Sequence, residues 1–503
     1  MVMRLTGLAS GLDIDTMVQK LMQAEKVPLN KMNQQRQLLD WKRESYREVS
    51  TKMVTFLQDK IKDTFSKASS LNAQKATVTG NTTAVTATAS ATASGSMTVG
   101  VTKLATAANV ILTGQNGKSE TTKLTDLGLT SGTSLQVGGS TISIDESDTI
   151  ATLVSKINNN SATGVTAIYD ATSGLSLTAT ASGTDGKLFT NNSAPDNNSL
   201  NIDSKLKDIF WADPTDGTVK KAQNAEVTVN GLSMEKTSNM FTINGVTLTL
   251  NTITAAGSEA NVTVSKDTDA IVKSVKDFVD SYNQVLSLMN SKVSEERYTK
   301  YAPLTSEQKA DMKEDEITEW TNKAKSGMLK NDSILQEAIS SMRSAIMGDV
   351  DTGNGKVNLL QGLGISTGDY QSKGKLTLDV DKLKEALERN PNAVNEVFTT
   401  NYDKVYTSDK VTDKDGILAR LQKITTNALK SMNTTAGVSI SSSDITASFM
   451  TSSTIGTQLS SLDRRISEFT SKLNNIETNY FKKFTAMETA INKYNSSASS
   501  LFG

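Results

Sequence analysis

The sequence predicts an α+β multidomain protein: N- and C-terminal helices pair as a coiled coil, a helical body adjoins them, and β-rich domains are inserted between the helical pieces. Three observations carry this. The chain has 503 residues, more than the roughly 250–300 at which a single hydrophobic core stops growing. Apolar residues recur every seven positions near both ends, the spacing of a helical seam. The middle, from about Ala76 to Ser265, is dominated by Thr, Ser, Ala, Gly, Asn and Val, with apolar and polar residues alternating as in half-buried strands.

Near the start, Met32, Leu39, Tyr46 and Met53 hold the seven-residue period, with Val49 and Phe56 three places after the last two. The stripe continues through Leu57, Ile61 and Phe65. Pro28 separates this helix from a segment beginning at about Thr16; lacking an N–H, it marks a break or a first turn. In the middle, Val85, Ala87, Ala89, Ala91 and Ala93 alternate with polar residues, and Met97, Val99 and Val101 do the same. Asn230-Gly231 and Asn244-Gly245 supply hairpin turns. Between these regions, Ser134–Ile144, a helix-like Thr149–Asn158, Val165–Ile168 and Leu175–Leu177 spell a ββαββ unit.

Helical periodicity returns with Ile271, Val275, Phe278, Tyr282, Val285 and Met289. Leu376, Leu378 and Val380 then alternate and give way to Leu383, Ala386 and Leu387, a strand running into a helix with Glu385 paired to Arg389. Pro391 is expected to open another helix with Asn390 as its cap. The Ser/Thr-rich stretch from about Thr435 to Thr454 is weakly periodic and reads as a linker or hinge.

The far end carries the stronger seam. Leu459, Ile466, Leu473, Tyr480, Met487 and Tyr494 keep a seven-residue period, and Leu462, Phe469 and Ile476 fill the intervening positions. Lys483 stands where the next member belongs, with Phe484 and Ile491 one place later, so the stripe drifts around the helix and widens. Glu468 and Lys472 add an i,i+4 pair of favourable order. At about 1.5 Å per residue, Leu459 to Tyr494 makes a rod of roughly 50 Å.

Composition removes most chemistry. There are 53 basic and 54 acidic residues, a net charge of −1, and neither His nor Cys. That balance offers no basic stripe for phosphates and excludes nucleic acid as an electrostatic partner. Without His or Cys there is no catalytic triad, thiol nucleophile, imidazole base or His/Cys zinc site. Disulfides are excluded too, so stability outside a cell must come from packing and oligomerisation. Hydrophobic content of 37% and mean hydropathy of −0.32 describe a polar chain. No cleavable signal and no apolar run of about 18 residues is visible, so no integral membrane segment is expected.

Remaining motifs fail on spacing. Gly114-Gln115-Asn116-Gly117-Lys118-Ser119 has two residues between its glycines where a phosphate loop needs four. Asp349-Val350-Asp351 begins like a calcium loop, but Gly353, Asn354 and Leu360 occupy the places of the third ligand, the turn glycine and the bidentate Glu. Gly7-Leu8-Ala9-Ser10-Gly11 lacks the order of a nucleophile elbow. Glu314 and Glu316 lie in a charged run, the mark of a solvated helix face. No catalytic, cofactor-binding or metal residue is assigned, and no cofactor is expected.

Three stretches together resemble the bacterial flagellar filament-capping family. The first is Gly7-Leu8-Ala9-Ser10-Gly11-Leu12-Asp13 with Thr16-Met17-Val18 and Ala24-Glu25-Lys26-Val27-Pro28-Leu29. The second is Gly364-Ile365, Lys373-Gly374-Lys375-Leu376-Thr377-Leu378-Asp379 and Asn390-Pro391-Asn392-Ala393-Val394. The third is the terminal seam with Phe484-Thr485-Ala486-Met487-Glu488, where Lys483 departs from the Gln that the resemblance leads one to expect. The ββαββ unit, about 133–180, is similar to the small repeat of flagellins and hook proteins.

The resemblance implies a ring of subunits, commonly a pentamer, at the distal filament tip. Such a ring promotes folding and polymerisation of flagellin, prevents its leakage and supports motility. It implies partners in flagellin, hook-filament junction proteins and a type III export chaperone, and export through the flagellar type III system without a cleavable signal. The expected division is a coiled-coil leg at 1–41 and 450–503, a helical body at 42–72 and 268–449, a β-rich head domain at 73–113 and 224–267, and a second at 114–223 holding the repeat. Met32, Leu39, Tyr46, Met53, Leu459, Leu462, Ile466, Phe469, Leu473, Ile476, Tyr480 and Met487 are the expected seam and assembly residues. The alternative is a surface adhesin binding mucin or glycan through the polar β-rich head.

Overall fold

The structure, a computed structural model, describes residues 13–115, 117–190, 200–210, 218–353, 355–358, 362–368, 370–402 and 410–502. The Gly7–Leu12 motif, Asn116, Asn354 and Leu360 lie outside them. The chain divides into two compact units, Met1–Leu71 with Thr268–Gly503, and Asn72–Asp267. Helical ends around an inserted β-rich middle, the expected α+β class, is the architecture found.

In the first unit, Asp13 caps the helix Ile14–Glu25, its carboxylate accepting from Thr16 N–H at 3.0 Å. Pro28 interrupts very little. Lys26 is αR, the next helix runs Val27–Thr55 with proline in its first turn, and Asn30 N–H still reaches the Lys26 carbonyl. That helix continues as a π-helix, Phe56–Phe65, which buries Phe56, Leu57, Ile61 and Phe65. The body core gathers around Phe278 on the helix Thr268–Ser294. Its ring meets Phe65 at 5.6 Å and Phe398 at 4.9 Å, both edge-on. Ile271, Val275, Tyr282, Val285 and Met289 are all buried on the same helix.

The helix Ile417–Ala436 packs against Ser333–Met347 and Val27–Thr55, and its first two turns are buried all round. Arg420 there supplies Nε to the Asp415 carbonyl, Nη1 to Ala345 and Gly348, and Nη2 to Asp349 and Asp413. A buried guanidinium with this many carbonyl partners ties one helix end to two loops. Lys423 pairs with buried Asp415 at 2.9 Å.

Two local expectations change. Asn392, not Asn390, stands at the cap of the helix Ala393–Thr399, leaving Pro391 just outside it. Asn390 Oδ1 accepts from Asn392 N–H and its amide donates to Glu396, because an Asn before a short turn satisfies the turn instead. Arg389 Nε donates to the Glu385 backbone carbonyl. As expected of a linker, the Ser/Thr-rich stretch joins the helices Ile417–Ala436 and Thr454–Phe502 without regular structure; it closes into a loop described further below.

In the second unit, one antiparallel sheet orders the strands Gln74–Gly80, Ala260–Lys266, Ser96–Lys103, Ala225–Val229 and Leu232–Lys236, and another orders Met240–Ile243, Val246–Leu250 and Val85–Ala89. Val85, Met97, Val99, Val227, Val246, Leu248 and Val262 share their core. Both Asn-Gly hairpins form, with Asn230 and Gly231 at φ 50° and 79°, and Asn244 and Gly245 at 48° and 77°. Positive φ at both central residues gives the turn whose twist matches its strands.

A separate core is built by the ββαββ unit: Ser134–Val137, Ser140–Ser143, the helix Ile150–Asn159, Val165–Asp170 and Gly174–Ala179. Thr149 caps the helix in a capping box with Thr152. The strand Asn109–Leu112 pairs with Gly174–Ala179, so the expected boundary at 113 moves back. Ala105 belongs to the first core and Ala108 to the second. The edge strand Val165–Asp170 is closed by side chains. Asn158 donates to the Ala167 carbonyl at 2.9 Å and accepts its N–H at 2.7 Å, and the Thr163 hydroxyl sits 3.3 Å from both the carbonyl and the N–H of Val165. Blocking an edge in this way removes the template for further pairing.

Candidate assembly site on the terminal helices

The terminal helices meet antiparallel. Arg36 Nε lies 2.6 Å from Asp463, Tyr480 Oη donates to Glu25 at 3.1 Å, and Arg47 Nη2 donates to the Ala447 carbonyl at 2.9 Å. Numbers rise along one strand of the pair as they fall along the other. The apolar contact is a cluster of Ile14, Val18, Met22 and Leu473, against which Leu29, Phe469, Ile476, Tyr480, Phe481 and Phe484 pack partly buried. Spacing of i, i+4, i+8 puts Ile14, Val18 and Met22 on one face of the first helix. Hydrogen bonds from Thr16 hold the Asp13 carboxyl below the usual carboxylate range at its capped start, and the Glu25 contact raises the Tyr480 phenol. Arg36 and Asp463 are exposed enough that their pair orients more than it stabilises.

The seam residues from the sequence separate into three groups. Leu459 and Leu473 are buried; Leu462, Ile466, Phe469, Ile476 and Tyr480 are half-buried along the C-terminal helix Thr454–Phe502; Met487 is 37% exposed and Tyr494 80%. Met32 is buried and borders a groove with Pro28, Gln35, Arg465 and Phe469, while Leu39 is half-buried. Tyr46 and Met53 instead belong to the body core. Tyr46 Oη bonds to Asp332, the cap of Ser333–Met347, and burial with that bond pushes the phenol well above its ordinary value. One apolar stripe thus serves two neighbours in turn, because a helix of 29 residues outruns the seam. The sequence reading missed Ile14, Val18 and Met22, whose own i, i+4 spacing was the available signal. Among the described residues no group of three or more carboxylates gathers as a metal site, and no helix is long and apolar enough to cross a membrane.

Comparison with known proteins decides what this helical pair belongs to. A family model described as "Flagellar hook-associated protein 2 C-terminus" matches residues 222–496, more than half of the chain, and its N-terminal counterpart matches 10–108. The chain belongs to the flagellar hook-associated protein 2 family. A flagellar hook-associated protein 2 of Halalkalibacterium halodurans is 30% identical over 99% of each chain. The one from Salmonella typhimurium is 30% identical, covering 64% of this chain and 66% of its own. The ββαββ region falls in a match to the "Flagellin hook IN motif", residues 112–181. The D1-D2-D3 domains of the flagellar cap protein from Escherichia coli share the fold, with a TM-score of 0.51 and 24% identity over 78% of this chain and 96% of that one. Members of the hook-associated protein 2 family are structural filament caps, and the chain is one of them.

Proposed function

We propose that the chain works at the distal flagellar tip as a homo-oligomeric ring, probed first as a pentamer, that holds exported flagellin while it folds and polymerises and so prevents its leakage. The observation that carries this is the unfinished seam. The C-terminal helix packs Leu473, Phe469, Ile476, Tyr480 and Phe484 against Ile14–Glu25 and still buries Glu488 further on, yet it presents the seam members Met487 and Tyr494 to solvent, an arrangement suited to a leg that completes its packing in an assembly. The terminal helices form the leg, the remainder of the first unit the body, and the two cores of the second unit two β-rich head domains. Met32, Leu39, Leu459, Leu462, Ile466, Phe469, Leu473, Ile476, Tyr480 and Met487 act in the leg and its assembly. Tyr46 and Met53 anchor the same helix in the body.

Flagellin, the hook-filament junction proteins and a type III export chaperone are the proposed partners, and export through the flagellar type III system is the proposed route. The role is mechanical rather than catalytic. It agrees with a chain lacking His and Cys. The matched families and relatives carry flagellar names and give the adhesin reading no support. Complementation tests the proposal. Cells lacking their own cap protein should regain motility and stop shedding flagellin monomer when this chain is expressed. Continued shedding, with the chain exported, would sink it.

A further inference from the structure

The segment joining Ile417–Ala436 to the C-terminal helix has the composition of a flexible joint, yet its backbone closes on itself. Gly437 ends the first helix at φ 77°, and its carbonyl accepts from Met450 N–H at 2.9 Å. A Cβ at Gly437 would stand 2.5 Å from the Met450 carbonyl oxygen, so glycine lets the two ends of the loop meet. Buried Ser453 donates to the Met450 carbonyl at 2.8 Å and accepts from Gly456 N–H at 3.1 Å. The loop therefore passes directly into the first turn of the C-terminal helix.

Phe449 fastens this loop to the helix Val27–Thr55. Its ring centre lies 3.6 Å from the guanidinium carbon of Arg47 and 4.1 Å from that of Arg43, and Arg47 also holds the Ala447 carbonyl. Two features keep the fastening weak. Among the described residues, buried Arg43 Nε has no hydrogen-bond partner, which raises the energy of the seated state. The tip buries little, leaving Ile440 and Ile445 exposed, and is held by local bonds such as those of Asp444 with Thr446 and Ser442.

We infer that Gly437–Ser453 is a releasable strap, and that the seating of Phe449 between Arg43 and Arg47 sets whether the start of the C-terminal helix is held to the helix Val27–Thr55. This rests on the proposed function above, in which the terminal helices form the leg of a cap. With the ring seated, the strap and buried Ile455 and Leu459 fix the direction in which the helix leaves the body. With the ring withdrawn, the loop stays closed at Gly437 and Met450 but loses its tie to Arg47. The helix then pivots on Ile455 and Leu459.

Hydrogen exchange of the full chain, read over 438–453, tests the strap. Phe449→Leu keeps apolar bulk and removes the ring face; strap amides should exchange about tenfold faster, as should those of Arg47→Gln, while Ser333–Met347 keeps its wild-type protection. Ile445→Ser, on the exposed tip, should change nothing. An unchanged strap rate in Phe449→Leu, equal acceleration in Ile445→Ser, or loss of protection throughout the body would each overturn the inference. Filament length in complemented cells supplies the second arm. Faster exchange with altered length supports a working strap, and faster exchange with wild-type length removes its link to elongation. Failure of the wild-type chain to complement would strike the capping reading alone, since the exchange result stands without it.

Discussion

The ββαββ repeat and the C-terminal helix handle their apolar residues in opposite ways. In the repeat, Leu135, Val137, Ile150, Leu153, Ile157, Leu175 and Leu177 are fully buried in one core, and even the free sheet edge is closed by Asn158 and Thr163. The helix Thr454–Phe502 buries Leu459 and Leu473, half-covers the members between them, and exposes Met487 and Tyr494. A two-layer module supplies its own second layer, whereas a lone amphipathic helix must borrow one. The difference teaches where the molecule is finished and where it waits for a partner.

The largest expected effect lies in the finished region. Leu153→Ala should cost about 2–5 kcal/mol, through lost burial and a cavity that close neighbours cannot fill. Region-resolved hydrogen exchange would show it as lost protection in Val165–Asp170 and Gly174–Ala179. A cost below about 1 kcal/mol would mean the core relaxes freely, and the contrast with the helix would weaken. Leu473→Ala should cost about 2 kcal/mol, near the low end of the same range, because half-covered Phe469, Ile476 and Phe484 can shift into the space. Its signature is faster exchange in Ile14–Glu25, with the repeat unaffected.

Acid provides a smaller, graded test. Burial pushes the Asp148 carboxyl up, but the bonds from Asp145 N–H, Lys156 and Thr152 outweigh it and leave the group below its ordinary value. A depressed carboxylate contributes stability above its unfolded pKa, and that contribution is lost as pH falls through the lower folded value. Asp415 in the body behaves alike, with burial opposed by Lys423 and Thr412. With no His in the chain, imidazole titration adds nothing between about pH 5 and 8. Thermal melts should therefore be flat across that window and fall below about pH 4. Asp148→Asn should flatten the acid limb of the repeat's own transition. An unchanged limb would deny Asp148 that role.

What the sequence made legible was local. Seven-residue spacing marked the long helices, alternation with Asn-Gly pairs marked the hairpins, and the ββαββ unit emerged close to its observed bounds, because each signal sits within about 15 residues. Partner choice was not local. Nothing near Tyr46 says that its stripe leaves the terminal pair for Asp332, and nothing near Asn109–Leu112 says which sheet it joins. The Ser/Thr-rich stretch looked like a hinge because short polar side chains lack periodicity. The same side chains satisfy a closed loop through local bonds, and Phe449 finds its arginines about 400 positions away in the sequence. Arg420 gave no signal either, since a lone arginine in a helix reads as surface until its carbonyl partners are seen.

The smallest expected effect on the isolated chain sharpens the comparison most. Met487→Ala and Tyr494→Ala remove large side chains from positions 37% and 80% exposed, so each should change the stability of the monomer by less than about 0.5 kcal/mol. If those side chains are instead reserved for neighbours in a ring, the same changes should shift self-association measurably. A few tens of Å² of apolar surface per side chain, at about 25 cal/mol per Å² and repeated at every interface of a closed ring, adds up. Sedimentation across a concentration series separates the two cases, with Leu473→Ala as the reference that destabilises the protomer itself. Weaker association with an unchanged melt places the unfinished stripe at an interface. A lowered melt comparable to that of Leu473→Ala would mean that Met487 and Tyr494 already pack within the chain, and the helix would then be as complete as the repeat.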